Sequence, residues 1–557
     1  MAKKVVVIGS GPGGYPAALK LKALGAEVCI IEKLDFGGTC LNRGCIPSKS
    51  FLDAAGRIRS SEILKTLLKD GKFFDFNPDM LSWDKIKERK NSAIKKIKNS
   101  LEKLFELNKI EIIKGAASFA SKNEIAIRTE REEIRKNFDF AVIAAGTVPF
   151  FPPPFIDYKN ELLDSDRIFD VPGCPASIII IGAGAIGLEF ACFFNALGAK
   201  TDVVEILPEI LPGEDETVAR TARNSFEKRG IKFHLSRKTV KITISENEKT
   251  LELDNGLKIT AAEILVGAGR AAELSELGLE NAGLKWDRKG IRVNEYTRTE
   301  IENIYAVGDV NGISMLAHSA TRQGEIAAEN IFGAQKRFDL NLVPKCVYTR
   351  PEIASIGLNR KQAEAQGLNP KTSRAYFQSS GFAITHDETD GFVQIVYHAD
   401  NDAILGAQIA GGPATELIHL FSIPVQLKLK RKDLLEAIYA HPTMAETLLG
   451  RRNILKCYNK TMTDREIIME VKNIIRRHLP EKEFKIFLFG SIAKSKASKN
   501  SDIDIGILGR KKINLLLLHR IKEEIKGIPT LKKVDVVELS NSACNFTKKV
   551  LKHAKKI

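Results

Sequence analysis

"KKVVVIGSGPGGYPAALKLKALGAEVCIIE", residues 3–32, sets the fold of most of this chain. An apolar run, Val5 to Ile8, breaks at Gly9-Ser-Gly11-Pro-Gly-Gly14 and gives way to a helical stretch from Ala17 to Leu24. A second apolar run, Glu27 to Ile31, then ends on Glu32. Strand, glycines, helix, strand and acid in that order make a dinucleotide site. The glycines admit a pyrophosphate to the helix N-terminus, and the carboxylate takes ribose hydroxyls. Glycines at this spacing alone fit any tight turn, so the setting carries the reading. Pro16 fits if it lies in the first turn of the helix, where its missing N–H removes no hydrogen bond.

The pattern returns in "SIIIIGAGAIGLEFACFFNALGAKTDVVEI", residues 177–206. It predicts a strand over 177–181, a turn through Gly182, Gly184 and Gly187, a helix, and a second strand ending on Glu205. An acid there favours the free 2′-hydroxyl of NAD and repels the 2′-phosphate of NADP. Two such sites suggest one bound cofactor and one exchangeable partner, as in a flavin–nicotinamide enzyme. The expected fold is α/β, with two Rossmann-like dinucleotide-binding domains.

Length alone allows about four domains at roughly 150 residues each. With 44% hydrophobic and 28% charged residues, the composition is that of a globular protein. No stretch approaches the ~20 apolar residues of a membrane helix. Only Lys3 and Lys4 separate the opening Met-Ala from the first strand, so no secretory signal is read and the cytoplasm is the expected compartment. Eight cysteines in such a chain do not make a disulfide scaffold. Cys29, Cys174, Cys192, Cys346, Cys457 and Cys544 are expected to pack as small buried hydrophobes. Cys40 and Cys45 stand apart, in "GGTCLNRGCIPSK" at 37–49.

That segment, with a fingerprint on either side, resembles the pyridine nucleotide-disulfide oxidoreductases. The likeness runs from about Lys3 to about Lys456 and includes "AVIAAGTVP" at 141–149, "IYAVGDV" at 304–310, "MLAHSA" at 315–320, "VYTRPEIASIGL" at 347–358 and "YAHPTMAE" at 439–446. The resemblance implies an FAD-binding domain over 1–149 and 271–340, an NAD-binding domain over 150–270, and an α+β dimerisation domain over 341–456. It implies that Cys40 and Cys45 form a redox disulfide, Cys40 exchanging with substrate and Cys45 lying next to the flavin. Lys49 would sit near the flavin with Glu189 as its partner, and Asp309 would hold the ribityl chain. Gly146 and Gly269, in "AVIAAGTVP" and "GAGRAAEL", would line the FAD and NAD sites. His441 and Glu446 would be a proton-accepting dyad reaching the disulfide of the other subunit, so that the active unit is a homodimer. The carboxylate fixes the imidazole tautomer and raises its basicity. The remaining histidines are read as structural. Electrons would pass from a dithiol, best matched by protein-bound dihydrolipoamide, through the cysteine pair and FAD to NAD. Another NAD-linked disulfide reductase of the same family is the alternative. "GAGRAAEL" lacks the proline and asparagine usual after that arginine, and Ser319 stands where a lysine is frequent.

From Lys456 onward the chain changes character. This segment holds 24 lysines and arginines against 11 acids, so it carries +13 of the total +16. Thr463-Asp-Arg-Glu466 is a capping box, and Ile467, Ile468, Val471, Ile474, Ile475 and Leu479 form the apolar stripe of the helix that follows. A strand "FKIFLF", a turn at Gly490-Ser491, a strand "SDIDIGIL" and a further run "VDVVEL" come next. Alternation puts Asp502 and Asp504 on one face while Ile503 and Ile505 face the core. Asp535 falls on a candidate neighbouring strand. Three carboxylates so placed could hold magnesium and neutralise a nucleoside triphosphate, with Gly490 and Ser491 on its phosphates. Residues of about 463–540 resemble the minimal nucleotidyltransferases of the DNA-polymerase-β superfamily, and a small α/β domain over 463–557 is expected. Lys494-Ser495 replaces the usual Arg-Gly. The lysine clusters fit a contact with RNA or with a partner protein, or simply a solvated face. Three readings stay open for the tail: an independent unit joined near Met462, half of a bifunctional enzyme, or a nucleotide-binding or antitoxin-like module without turnover.

Overall fold

In the computed structural model the run Lys4–Ile8 is the middle strand of a five-stranded parallel sheet. The order is Ile304–Ala306, Phe140–Ile143, Lys4–Ile8, Glu27–Glu32, Glu111–Lys114. Val5 to Ile8 are all buried, as a strand covered on both faces requires. The structure describes residues 2–67, 82–246, 248–449, 463–493, 502–509, 511–526, 528, 534–539, 547, 550–552 and 554–557. The chain separates into two units, residues 1–450 and 451–557. Among the described residues no helix is long and apolar enough to cross a membrane.

The first helix spans Gly14–Ala23, starting three residues earlier than the sequence predicts, because the glycine loop runs straight into it. Pro16 accordingly falls in its first turn. A second parallel sheet repeats the plan in the order Lys232–His234, Lys200–Val204, Ser177–Ile181, Glu263–Val266, Leu163–Asp164. The strand at 177–181 and its helix, Ala185–Ala196, stand where the second fingerprint places them. A third five-stranded sheet of this unit is antiparallel: Lys345–Val347, Ile353–Gly357, Ile404–Ala410, Phe392–His398, Pro370–Tyr376.

Both cysteines of the pair sit at a helix junction. Gly38–Arg43 is a short helix holding Cys40, and Cys45 opens the long helix Cys45–Leu67. That helix is braced by aromatic packing. Phe51 stacks on Phe193 at 4.7 Å between centroids and meets Trp83 and Phe169 edge-on at 5.6 and 5.3 Å. Trp83 heads the helix Trp83–Leu107, an element with no counterpart among the sequence expectations, and its indole N–H donates to the Val171 carbonyl at 2.8 Å. Cys29 and Cys192 are buried as expected, but Cys174 is exposed, because it lies in the surface loop between Gly173 and Pro175.

The smaller unit opens on the helix Asp464–His478. Thr463 accepts from the Glu466 N–H at 3.3 Å and donates its own N–H to the Glu466 carboxylate at 2.6 Å, the reciprocal cap the sequence predicts. Its sheet runs Val534–Glu538, Ile503–Gly509, Phe484–Phe489, Lys555–Lys556, with the first pair parallel and the others antiparallel. Ile467, Val471, Ile474 and Ile475 pack with Ile503, Ile505 and Ile507, and the helix Leu515–Lys526 adds Ile521 and Ile525. Gly490-Ser491 is not an isolated turn: it begins the one-turn helix Gly490–Ala493, which Gly490 reaches by taking φ +76° directly after the strand. Cys457, Met462, Lys494, Ser495, Cys544 and the side chain of Ser491 lie outside the described residues.

Candidate active site

The two fingerprints build the same device twice. At Gly9 (φ +96°) a Cβ would lie 2.4 Å from the Ala144 carbonyl oxygen, and at Gly14 1.8 Å from that of Gly9. At Gly182 (φ +98°) it would lie 2.7 Å from the Gly267 oxygen, and at Gly187 2.0 Å from that of Gly182. These glycines let strand, turn and helix close together. Gly11 and Gly184 are different: a Cβ on Gly11 would meet nothing nearer than 3.9 Å, and one on Gly184 nothing within 4 Å. They leave backbone open to a ligand. Gly146 (φ +72°) and Gly269 (φ +109°) likewise have nothing within 4 Å.

The acids are placed alike. Glu32 accepts from Ser10 N and Leu34 N, both at 2.8 Å, and from the Ser10 hydroxyl at 2.6 Å. Glu205, buried, accepts from Ala183 N at 2.7 Å and Leu207 N at 2.9 Å. Glu32 Oε1 and both Glu205 oxygens keep a lone pair for a ribose hydroxyl, whereas the two Ser10 donors occupy Glu32 Oε2.

A cleft of about 470 Å³ runs from Gly11 and Glu32 past Thr39 to Cys40, Cys45 and Lys49. Ala185, Ile186 and Glu189 bring the second fingerprint's helix to the same cleft, which Asp309 also lines. Open glycine backbone at one end and a ribose-reaching acid beside it fit a dinucleotide. Cys40 and Cys45 stand as free thiols. A hydrogen bond between them holds Cys45 down to about 7, against burial, with the Lys49 ammonium helping and the Glu189 carboxylate opposing. The same bond, with burial, pushes Cys40 well above the usual thiol range. Lys49 Nζ lies 3.0 and 2.9 Å from the two Glu189 oxygens and 4.3 Å from the centre of the Tyr348 ring. Tyr348 N donates to Glu189 at 3.0 Å.

Burial raises Asp309 above the ordinary carboxylate range, offset by the Thr147 hydroxyl, which donates to it at 3.2 Å. Thr147 in turn accepts from Arg270 Nε at 3.1 Å, while Arg270 Nη1 binds Asp166 at 2.8 Å. Neither Tyr348 nor this Arg270–Thr147 support was assigned from sequence, although all three residues lie within motifs quoted there.

His441 and Glu446 meet: Nδ1 lies 2.9 Å from Oε1, and Glu446 accepts from Thr443 N at 2.8 Å. Those bonds, the Thr443 N–H first, hold Glu446 below the usual carboxylate range. Neither residue lines the cleft of Cys40 and Cys45, and the His441 side chain is 80% exposed, so its second ring nitrogen is open to another chain.

In the smaller unit Asp504 and Asp535 are register partners on adjacent parallel strands. A Cβ on Gly490 would lie 1.9 Å from Asp504 Oδ2, so the strand-to-helix turn is closed against that carboxylate. Asp502 is exposed, one residue ahead of its strand. Among the described residues no group of three His, Cys, Asp or Glu side chains is gathered as a ready metal site.

The sequence model of the family described as pyridine nucleotide-disulphide oxidoreductase matches residues 3–324, and that of its dimerisation domain matches 343–451. The model described as polymerase beta, nucleotidyltransferase, matches 470–557. Among curated proteins, a dihydrolipoyl dehydrogenase of Zymomonas mobilis subsp. mobilis is 33% identical over 468 residues, covering 82% of this chain and 98% of its own. Another, from Chlamydia pneumoniae, is 35% identical over 444 residues, covering 79% and 94%. Of solved structures, LpdA from Mycobacterium tuberculosis aligns with TM-score 0.75 at 23% identity, over 81% of this chain and all of that one. The HOCl-induced flavoprotein disulfide reductase RclA from Escherichia coli aligns with TM-score 0.72 at 24% identity, over 83% and 100%.

Proposed function

The chain belongs to the pyridine nucleotide-disulphide oxidoreductases, as a dihydrolipoyl dehydrogenase-like member followed in sequence by a nucleotidyltransferase-like domain, and from that premise we propose that it oxidises protein-bound dihydrolipoamide with NAD as acceptor. The observation that carries this reading is the cleft in which Cys40 and Cys45 lie between two dinucleotide fingerprints.

FAD and NAD are the cofactors expected of the family. Gly9, Gly11, Gly14, Glu32, Gly146 and Asp309 would hold FAD, and Gly182, Gly184, Gly187, Glu205 and Gly269 would hold NAD. FAD, when bound, supplies the route by which an electron pair leaves the cysteine pair for the nicotinamide. The chain's own residues do the rest. One substrate sulfur attacks Cys40 of the Cys40–Cys45 disulfide and expels Cys45 as a thiolate, which the Lys49 charge stabilises. The second substrate sulfur then displaces Cys40, closing the substrate disulfide. His441 of the partner subunit accepts the proton released, and Glu446 holds its ring in the accepting tautomer.

For the tail we propose magnesium-dependent nucleotidyl transfer. Asp504 and Asp535, side by side, suit a hard cation that keeps oxygen sites for water and phosphate, with Asp502 as a third donor and Gly490 and Ser491 on the phosphates. The test of the principal reading is turnover of dihydrolipoamide with NAD by the purified flavoprotein. Cys40→Ser and Cys45→Ser should each abolish it. Turnover surviving either substitution refutes the dithiol route.

A further inference from the structure

A second cavity of the larger unit, about 450 Å³, opens on the far side of Lys49 between the helices Cys45–Leu67 and Ala185–Ala196 and the segment Tyr348–Glu352. Its charge is unbalanced. Arg350 lies against the helix at Gly56: a Cβ there would stand 3.5, 3.7 and 3.8 Å from Nη2, Cζ and Nε, so the guanidinium lies face-on to the helix. Arg59 donates to the neutral Asn195 side chain at 3.0 Å, and Arg229 donates to the Arg350 carbonyl. Among the described residues none of these three guanidiniums forms an ion pair. The acids nearby are shared with other partners, although Glu352 also feels the charge of Arg350 and Arg229 that of Asp390. Asp53 binds Arg57 and Arg89 at 2.9 and 2.7 Å, Glu352 accepts from Thr415 N and Oγ1 at 2.9 and 2.7 Å, and Asp390 faces Lys228 at 4.0 Å. Arg229 is exposed as a residue, yet desolvation and then the like charges of Arg59 and Arg350 hold its guanidinium below its ordinary value, against the opposing effect of Cys192 and Asp390.

We propose that this cavity is a binding site for a small multivalent oxyanion, with Arg59 and Arg350 as its cationic wall and Arg229, which donates to the Arg350 carbonyl, adding positive charge beside it. Four cationic side chains, Lys49, Arg57, Arg59 and Arg350, line the cavity against two carboxylates, Asp53 and Glu352, and an oxyanion bound by planar guanidinium forks relieves the repulsion of that excess. The site is distinct from the dinucleotide cleft but shares one wall with it, because Lys49 lines both. An anion seated here therefore offsets the charge that Lys49 places on the cysteine pair.

The test uses the full-length holoenzyme, saturated with NAD and free of magnesium, titrated calorimetrically with inorganic pyrophosphate and, separately, with citrate. Saturable binding is expected, weakened about ten- to a hundredfold by Arg350→Ala and by Arg59→Ala through loss of one charge-assisted bond, and partly restored in Arg350→Lys. Tighter binding of pyrophosphate supports a phosphate-bearing ligand, and tighter binding of citrate a polycarboxylate. Flavin content and anion-free turnover should be unchanged in these variants, which reports that they fold. Absence of saturable binding, or binding untouched by both alanine variants, overturns the proposal. So does a weakened dimer with anion binding intact, since the arginines would then serve a subunit contact. A second measurement rests on the redox reading of Cys45: pyrophosphate should raise the pH at which the Cys45 thiolate forms, and should not do so in Arg350→Ala. Binding without that rise overturns the coupling to the cysteine pair and leaves the anion site standing.

Discussion

Replacing Lys49 by methionine isolates the electrostatic part of the redox site. The ammonium lies about 3 Å from both Glu189 oxygens and is one of the charges that keep Cys45 near 7. Methionine keeps the apolar stem and removes the charge, leaving the Glu189 carboxylate to act on the sulfur alone. An opposite charge within ~4–6 Å moves a pKa by roughly one to three units. The Lys49 side chain is 36% exposed, so solvent screening favours the lower part of that range. The thiolate midpoint should therefore rise by about one to two pH units, or about 1.4–2.7 kcal/mol. The assay is a pH titration of the long-wavelength absorbance of the Cys45 thiolate against the flavin in dithiol-reduced holoenzyme. The sign is fixed: the thiolate is present above its midpoint and lost as pH falls through it. In the wild type that loss centres near 7, and in Lys49→Met it should come at higher pH. Glu189→Gln removes the opposing charge and should move the loss to lower pH. Because the thiols share a hydrogen bond, the midpoint belongs to the pair, but the two opposite directions survive that coupling. A midpoint unmoved by Lys49→Met, or moved the same way by both variants, refutes the reasoning.

NAD should be preferred over NADP by about 30- to 1000-fold in kcat/KM, the equivalent of about 2–4 kcal/mol lost when a 2′-phosphate meets the Glu205 carboxylate; equal rates contradict it. Mixing inactive Cys40→Ser subunits with inactive His441→Ala subunits should restore activity, since each heterodimer carries one intact site. No recovery despite proven exchange would place the proton acceptor within one chain. In the tail, Asp502→Asn with Asp504→Asn should eliminate magnesium-dependent nucleotide binding, measured by calorimetry, and leave dithiol oxidation unchanged. A change in the flavin reaction would mean that the two units are coupled.

What the sequence made legible is what a few neighbouring residues decide. Gly9 and Gly182 announce a turn, Val5–Ile8 and Ile178–Ile181 announce buried strands, and Thr463 with Glu466 announces a helix start. Each of these depends on contacts within about one turn or one strand. The first helix was misplaced by three residues because nothing local separates a glycine loop from the helix it opens. Cys174 was misjudged because burial belongs to tertiary context, and residue type gives only a tendency. The Arg270–Thr147–Asp309 chain joins residues far apart in sequence, so no spacing rule could reveal it. Lys49 and Glu189, also distant in sequence, are linked in the sequence only through the resemblance of their segments to a known family.

The two acids at the strand ends carry a fold role alongside the ligand role proposed for them. Glu32 accepts the N–H groups of Ser10 and Leu34; Glu205 accepts those of Ala183 and Leu207. In both halves the carboxylate ties the first residue after the opening glycine of the fingerprint to the residue two beyond itself. That tie exists before any ribose arrives, so it belongs to the loop's own folding. A residue that turned Glu205 towards a 2′-phosphate would have to be cationic, and a cation cannot accept from Ala183 N or Leu207 N. Glu205→Arg should therefore lose NAD affinity without gaining NADP affinity in proportion, because the glycine turn that both dinucleotides need would lose its anchor. On the proposed reading cofactor preference would be set by the whole turn, and the acid at its edge, which holds that turn, would also read the ribose.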